Sequence, residues 1–246
     1  MAVFKKLWPL LLCCAAFAQA QQITVGLHIS PPWAYTDQRG EVAGIHRDII
    51  ARSFAGTGFE PVFKLYGYSR LLSEFKAGKV DFASPMTREM PGVVQSLKYL
   101  PFHTSVMALQ NRQLKIEKVA DLAGLRVIAF QQATNVLGDE FSQLMAAQRD
   151  KYTEFFERER QLRMLFKRRA DVVIGERRIL STLAKVLQPE QPVQAFPIFP
   201  ITVYPGGSSN KSVIEAFDRG VRELMRSGEY HRLLNSSQLQ LEPSHP

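Results

Sequence analysis

Acid–base chemistry in this sequence would have to come from Glu74, Glu176, His28 and His103, because a side chain that moves protons must titrate near neutral pH or be pushed there by burial. None of them belongs to a clustered pair. No spacing of His, Cys, Asp or Glu suits a metal ion, no nucleophile elbow is present, and no glycine-rich loop would cradle a phosphate. His28, at the end of an apolar run and beside Pro31-Pro32, stands out among the histidines, although a lone histidine serves equally in packing or capping. The densest charge is basic: Arg158, Arg160, Arg163, Lys167, Arg168 and Arg169, continued by Arg177 and Arg178. Nucleic acid is one reading of such a run. Leu162, Leu165 and Phe166, however, recur at helical spacing, which assigns the arginines to the solvated side of an amphipathic helix.

The first twenty residues limit where any such chemistry could operate. Lys5-Lys6, the apolar run from Leu7 to Phe17 and Ala18-Gln19-Ala20 have the order of a cleaved export signal, so the mature chain is expected to begin near Gln21, in the periplasm. The apolar run falls short of the roughly 20 residues that span a bilayer. Both cysteines, Cys13 and Cys14, lie inside that segment, and neither follows the small residue that lipid attachment prefers. The mature chain is therefore read as cysteine-free, without a membrane anchor and monomeric, its stability resting on its core. About 225 residues suffice for one large domain or two modest lobes. Losing Lys5 and Lys6 lowers the formal net charge of +8 by two, and the remaining surplus favours acidic partners without naming one.

Short apolar strands then alternate with helix-length amphipathic segments, the pattern of a mainly parallel sheet covered by helices. Ile23 to Leu27 reads as a strand, Ile45 to Ala55 as a helix closed by Gly56 and Gly58, and Pro61 to Tyr66 as the next strand. Ser69 is expected to cap a helix that stops at Gly78, before a strand from Val80 to Ala83. A second series runs from the turn Asp121-Leu122-Ala123-Gly124 through the strand Arg126 to Phe130 and a helix from Thr134 or Asn135 to Ala147. It continues with a strand near Tyr152 to Phe156, the basic helix, the strand Asp171 to Gly175 and a helix from Ile179 to Leu187. The apolar stretches Ser105 to Leu109 and Phe196 to Tyr204 are expected to cross between two lobes. The helix from Lys211 to Arg226, broken at Gly228, is expected to return to the first lobe, with a frayed end over Glu242 to Pro246. In these terms lobe one is 21–105 with 200–241, and lobe two is 106–199.

The ordered set Ile-Thr-Val-Gly at 23–26, Pro31-Pro32-Trp33, Gly40 with Gly44 and Asp48, Gly78 with Asp81, Asp121-Leu122-Ala123-Gly124, Ala170-Asp171-Val172-Val173 and Gly228 resembles the extracellular solute-binding proteins of family 3. These are periplasmic receptors for polar amino acids that serve ABC importers. The resemblance covers essentially the whole mature chain and implies the type II periplasmic binding protein fold, two α/β lobes on two hinge strands that close on a solute. It implies a small polar ligand, an amino acid or related carboxylate, with an ABC transporter permease as partner, and no nucleic acid, cofactor or catalytic residue. By the same resemblance Trp33 and Tyr35 match an aromatic ligand wall, Thr134 and Asn135 match backbone donors at a helix start, and Glu176 matches the acid that receives an amino group. Gln132-Ala133 stands where the family has Gly-Thr. The family's carboxylate-binding arginine falls at or near Gly92, which leaves Arg88, one turn earlier, as the candidate anchor. Some proteins resembling this family are cyclohexadienyl dehydratases, so an exported enzyme using the same cleft is the alternative reading. A fused sensor module is not expected.

Overall fold

The computed structural model describes residues 20–235. The expected export signal, apart from its last residue, and the frayed end at 242–246 lie outside the described residues. In the first half the chain forms β1 (Gln21–His28), the short hairpin β2 (Tyr35–Thr36) and β3 (Val42–Ala43), α1 (Ile45–Phe54), β4 (Phe59–Tyr66), α2 (Tyr68–Lys76), β5 (Phe82–Ser84), β6 (Val94–Gln95) and β7 (Leu100–Phe102). There follow β8 (Thr104–Leu109), β9 (Val127–Ala129), α3 (Ala133–Val136), α4 (Asp139–Ala147), β10 (Tyr152–Glu154), α5 (Arg158–Phe166), β11 (Val172–Glu176), α6 (Arg177–Leu187) and β12 (Val193–Phe196). The chain returns through β13 (Thr202–Tyr204) and β14 (Gly207–Ser208) to α7 (Lys211–Ser227) and α8 (Glu229–Asn235).

Two five-stranded sheets result, in the orders β4-β1-β5-β14-β6 and β10-β9-β11-β8-β12. Each has a parallel core of three strands, as the alternating strand–helix pattern requires, and takes in an antiparallel strand where the chain crosses between lobes. Between them β7 and β13 pair antiparallel and form the hinge. The hinge differs from the expected connectors. The stretch from Ser105 to Leu109 belongs to β8, the fourth strand of the second sheet, because Val106, Met107 and Ala108 are buried on both faces of that sheet. A continuous apolar run signals a covered strand rather than a connector.

Other differences are local. Gly67, not Ser69, stands at the N-cap of α2. The single helix expected from Thr134 to Ala147 is two, because Gly138 takes a positive φ of 93° that lets the chain turn and restart as α4. The last helix follows the expectation: Gly228, at φ 76°, closes α7 before α8.

The buried residues of α7 (Val213, Ile214, Ala216, Phe217, Val221 and Leu224) recur at three- and four-residue spacing and pack with Ile49, Ile50 and Phe54 of α1 beneath the first sheet. Gly220 allows this approach, since a Cβ there would overlap the carbonyl group of Ser53. Gly220→Ala therefore reverses the usual propensity gain of about 1 kcal/mol for Gly to Ala in a helix. The helices would have to separate, and we expect a net loss of about 2 kcal/mol in urea unfolding. A variant as stable as the parent would show that the crossing is not tight.

Candidate functional site

A cavity of about 590 Å³ lies between the lobes at the C-terminal ends of their parallel strands, where open α/β sheets carry their ligands. His28, Ile29, Ser30 and Pro31 line it from the end of β1, Phe102 and Tyr204 from the hinge, and Thr104 from the start of β8. The second lobe contributes Phe130 after β9, Phe156 to Glu159 after β10, Glu176 at the end of β11, and Ile179 and Leu183 from α6. Gln161 of α5, fully buried, holds two of these loops in place. Its Nε2 donates to the carbonyls of Ala129 (3.0 Å) and Phe155 (2.8 Å), the residues just before Phe130 and Phe156.

Glu176 is 6% exposed. It caps α6 by accepting from Ile179 N–H at 2.9 Å, and it also accepts from Trp33 Nε1–H at 3.2 Å and His103 N–H at 3.4 Å. Burial pushes its carboxyl above the usual range, while these donors and the charge of Arg178 pull it back. A carboxylate has about four lone-pair sites, so roughly one remains for a ligand.

Trp33 is not the exposed ligand wall that the aromatic loop suggests. It is fully buried, with Phe102 at 5.4 Å between ring centroids and the Arg178 guanidinium 5.0 Å above its ring. In place of a solvent-filled gap, its indole N–H joins the lobes directly through Glu176. The reason is local: the carbonyls of Pro32 and Trp33 accept from Ile45 and His46 N–H at the start of α1, which folds the loop inward over that helix. Gly44, where a Cβ would meet those same carbonyls, makes the approach possible. Tyr35, two residues on, enters the β2–β3 hairpin and lines a separate depression with Asp37, Arg47 and Asp48.

Thr134 and Asn135 lie outside the cavity lining. The carboxylate found at their loop is the protein's own. Glu154 Oε2 accepts from Gln132 N–H at 2.6 Å and its Oε1 from the Tyr152 hydroxyl at 2.7 Å, while Asn135 N–H is used within the turn by the Gln132 carbonyl. Arg88 is exposed, also outside the lining, in the loop after β5, where its carbonyl accepts from Gln95 Nε2.

Of the acid–base candidates, Glu74 is tied to Arg70 and Lys79 at the surface, and their donors and charges hold its carboxyl low. His103 contributes its backbone N–H to Glu176. His28 lines the cavity and donates Nδ1–H to the Tyr66 carbonyl at 3.4 Å. Burial lowers its pKa, so at neutral pH the ring is uncharged, with Nε2 left as an acceptor. Arg158 is the residue that sequence reasoning missed. Helical periodicity assigns it to the solvated face of the basic helix, yet it is the first residue of α5 and lines the cavity, half-buried. Its place just after a strand end was the available signal. Among the described residues no group of His, Cys, Asp or Glu could hold a metal ion, and no helix is long and apolar enough to cross a membrane.

Among solved structures, the probable amino-acid ABC transporter extracellular-binding protein ytmK from Bacillus subtilis is similar, with a TM-score of 0.71 and 19% identity over 87% of this chain and 96% of that one. An ancestral arginine-binding protein bound to arginine gives 0.67 at 19% identity, over 87% of this chain and 97% of its own. A histidine kinase sensor domain with similarity to periplasmic binding proteins also gives 0.67, at 16% identity over 92% and 99%. These likenesses show the type II periplasmic binding protein fold. Comparison with curated protein sequences finds no match. Residues 23–237 match the bacterial extracellular solute-binding proteins, family 3, as a family, and with nearly every described element inside that span the chain belongs to it.

Proposed function

We propose that the protein captures a small polar solute, an amino acid or related carboxylate, between its lobes in the periplasm and delivers it to an ABC importer. The observation that carries this reading is the cavity itself. At about 590 Å³ it is of a size for a small ligand, it is lined from both lobes and the hinge, and Glu176 forms part of its wall. A solute held there touches both lobes, so its binding energy favours their approach. Glu176 suits an ammonium group, because a buried carboxylate with a lone pair to spare gains a charge-assisted partner. The arginine-bound ancestral protein of the same fold is consistent with ligands of that class.

A thermal-shift screen of the mature chain against amino acids, polyamines and small carboxylates tests the reading. A ligand at ~100 times its Kd adds about 2.7 kcal/mol and raises the melting temperature by several degrees. Glu176→Gln should weaken an amino-acid ligand while leaving the fold intact. If none of these compounds shifts the transition, solute capture in this cleft is wrong.

A further inference from the structure

Among the described residues no carboxylate forms an ion pair with Arg158. Its Nη1 is buried without a hydrogen-bond partner. The nearby Glu159 pairs with Arg163 instead, at 3.7 Å. What supports the guanidinium is the Phe130 ring, 5.5 Å from its centre, a contact that stabilises a cation without satisfying its N–H groups. Desolvation lowers the Arg158 pKa, and its charge helps to hold down that of His28 across the cleft. A guanidinium does not shed its proton in a protein, so a partly buried one with an idle N–H calls for an anion.

The surroundings say what that anion carries. Phe156 and Ile29, from opposite lobes, both line the cavity and are 65% and 49% exposed, respectively. Together with Phe130 they make an apolar wall next to the cation, open to a ligand that would cover it. We propose that the cleft takes a small carboxylate with an apolar, preferably aromatic, body: Arg158 holds the carboxylate and Phe130, Phe156 and Ile29 pack against the body. This rests on the cleft being the solute site. It moves the anchor for the carboxylate from the first lobe to the second, and with Glu176 it gives the cleft one pole of each sign.

Calorimetry on the mature chain with four probes tests the assignment. L-phenylalanine carries carboxylate, ammonium and ring; phenylacetate lacks the ammonium, phenethylamine lacks the carboxylate, and glycine lacks the ring. L-phenylalanine and phenylacetate should bind, phenethylamine should not, and glycine should bind at least tenfold more weakly than L-phenylalanine. Arg158→Ala and Arg158→Gln should each weaken phenylacetate about a hundredfold. Arg163→Ala, which removes an exposed arginine from the same helix, should leave its affinity unchanged. Equal affinity for phenylacetate in the parent and both Arg158 variants would overturn the anchor and leave solute capture standing. Binding of glycine as tight as that of L-phenylalanine, or of phenethylamine as tight as that of phenylacetate, would overturn the ligand class. If no probe binds but another compound from the screen does, the class falls alone; if nothing binds, the capture reading falls with it.

Discussion

Trp33→Ala is expected to unfold at much lower urea than the parent, a loss of about 3 to 5 kcal/mol. The side chain is fully buried and ties together parts of the chain that are remote in sequence: Phe102 at the hinge, Arg178 of α6, and the capping carboxylate of Glu176. Truncation leaves a large cavity where Trp33 clusters with Ile45 and Ile49 of α1 and with Ile179 of α6 from the second lobe. It also strips a donor from a buried acid already pushed up by burial. Trp33→Phe separates the two effects. It keeps most of the apolar volume but loses the N–H and a small part of the ring, so about 1 to 2 kcal/mol should go, while Glu176 should hold its proton to higher pH. That shift can be followed through the pH dependence of ligand affinity. An alanine variant within 1 kcal/mol of the parent would mean that the lobes are not joined through this residue.

The same residue shows what a linear sequence conveys and what it does not. The elements around Trp33 were legible. The alternation in Ile23 to Leu27, the stripe of α1 and the glycine stop at Gly228 follow from short-range chemistry, and the fold class follows from their order. The direction in which Trp33 points depends on Gly44 letting two carbonyls cap α1, which is a contact between backbones and leaves no side-chain pattern. Arg158 failed for a related reason. Helical periodicity assigns a face to each residue, but a residue at the very start of a helix is placed by the loop before it and by whatever lies opposite, here the end of β1. Thr134 and Asn135 come from a family pattern, whereas in this chain the Glu154 carboxylate accepts from Gln132 N–H at the start of their loop, a contact that the local sequence does not announce. Glu176 lay within reach of sequence reasoning because the end of an apolar strand fixes its place, although its contact with Trp33 did not.

Acidification should weaken the first lobe through His46. This histidine is fully buried in α1, with Nε2 2.8 Å from the Tyr99 hydroxyl and 3.0 Å from Ser84 Oγ, which are themselves 2.7 Å apart. Burial, helped by the charge of His28, holds its pKa down to about 3, against 6.5 for an exposed histidine. Between those values the unfolded chain takes up a proton that the folded chain refuses, so stability falls as pH falls, by about 1.4 kcal/mol per unit for one group. By pH 4.5 the loss from His46 alone reaches about 2 to 3 kcal/mol. His28, also depressed by burial, adds a slope of the same sign, whereas Glu176, with its raised pKa, binds a proton more readily when folded and works against both. His46→Gln isolates the term: it keeps a polar group near the two hydroxyls and cannot titrate. Between pH 7 and pH 5 the parent should lose about 2 kcal/mol more than the variant in urea unfolding. The consequence reaches function, because Tyr99 adjoins hinge strand β7 and its carbonyl accepts from the Tyr230 hydroxyl of α8. A proton forced onto His46 therefore disturbs the joint between the first sheet and the hinge, and ligand affinity should fall with stability. Identical pH profiles for the two proteins would show that His46 does not set the acid limit.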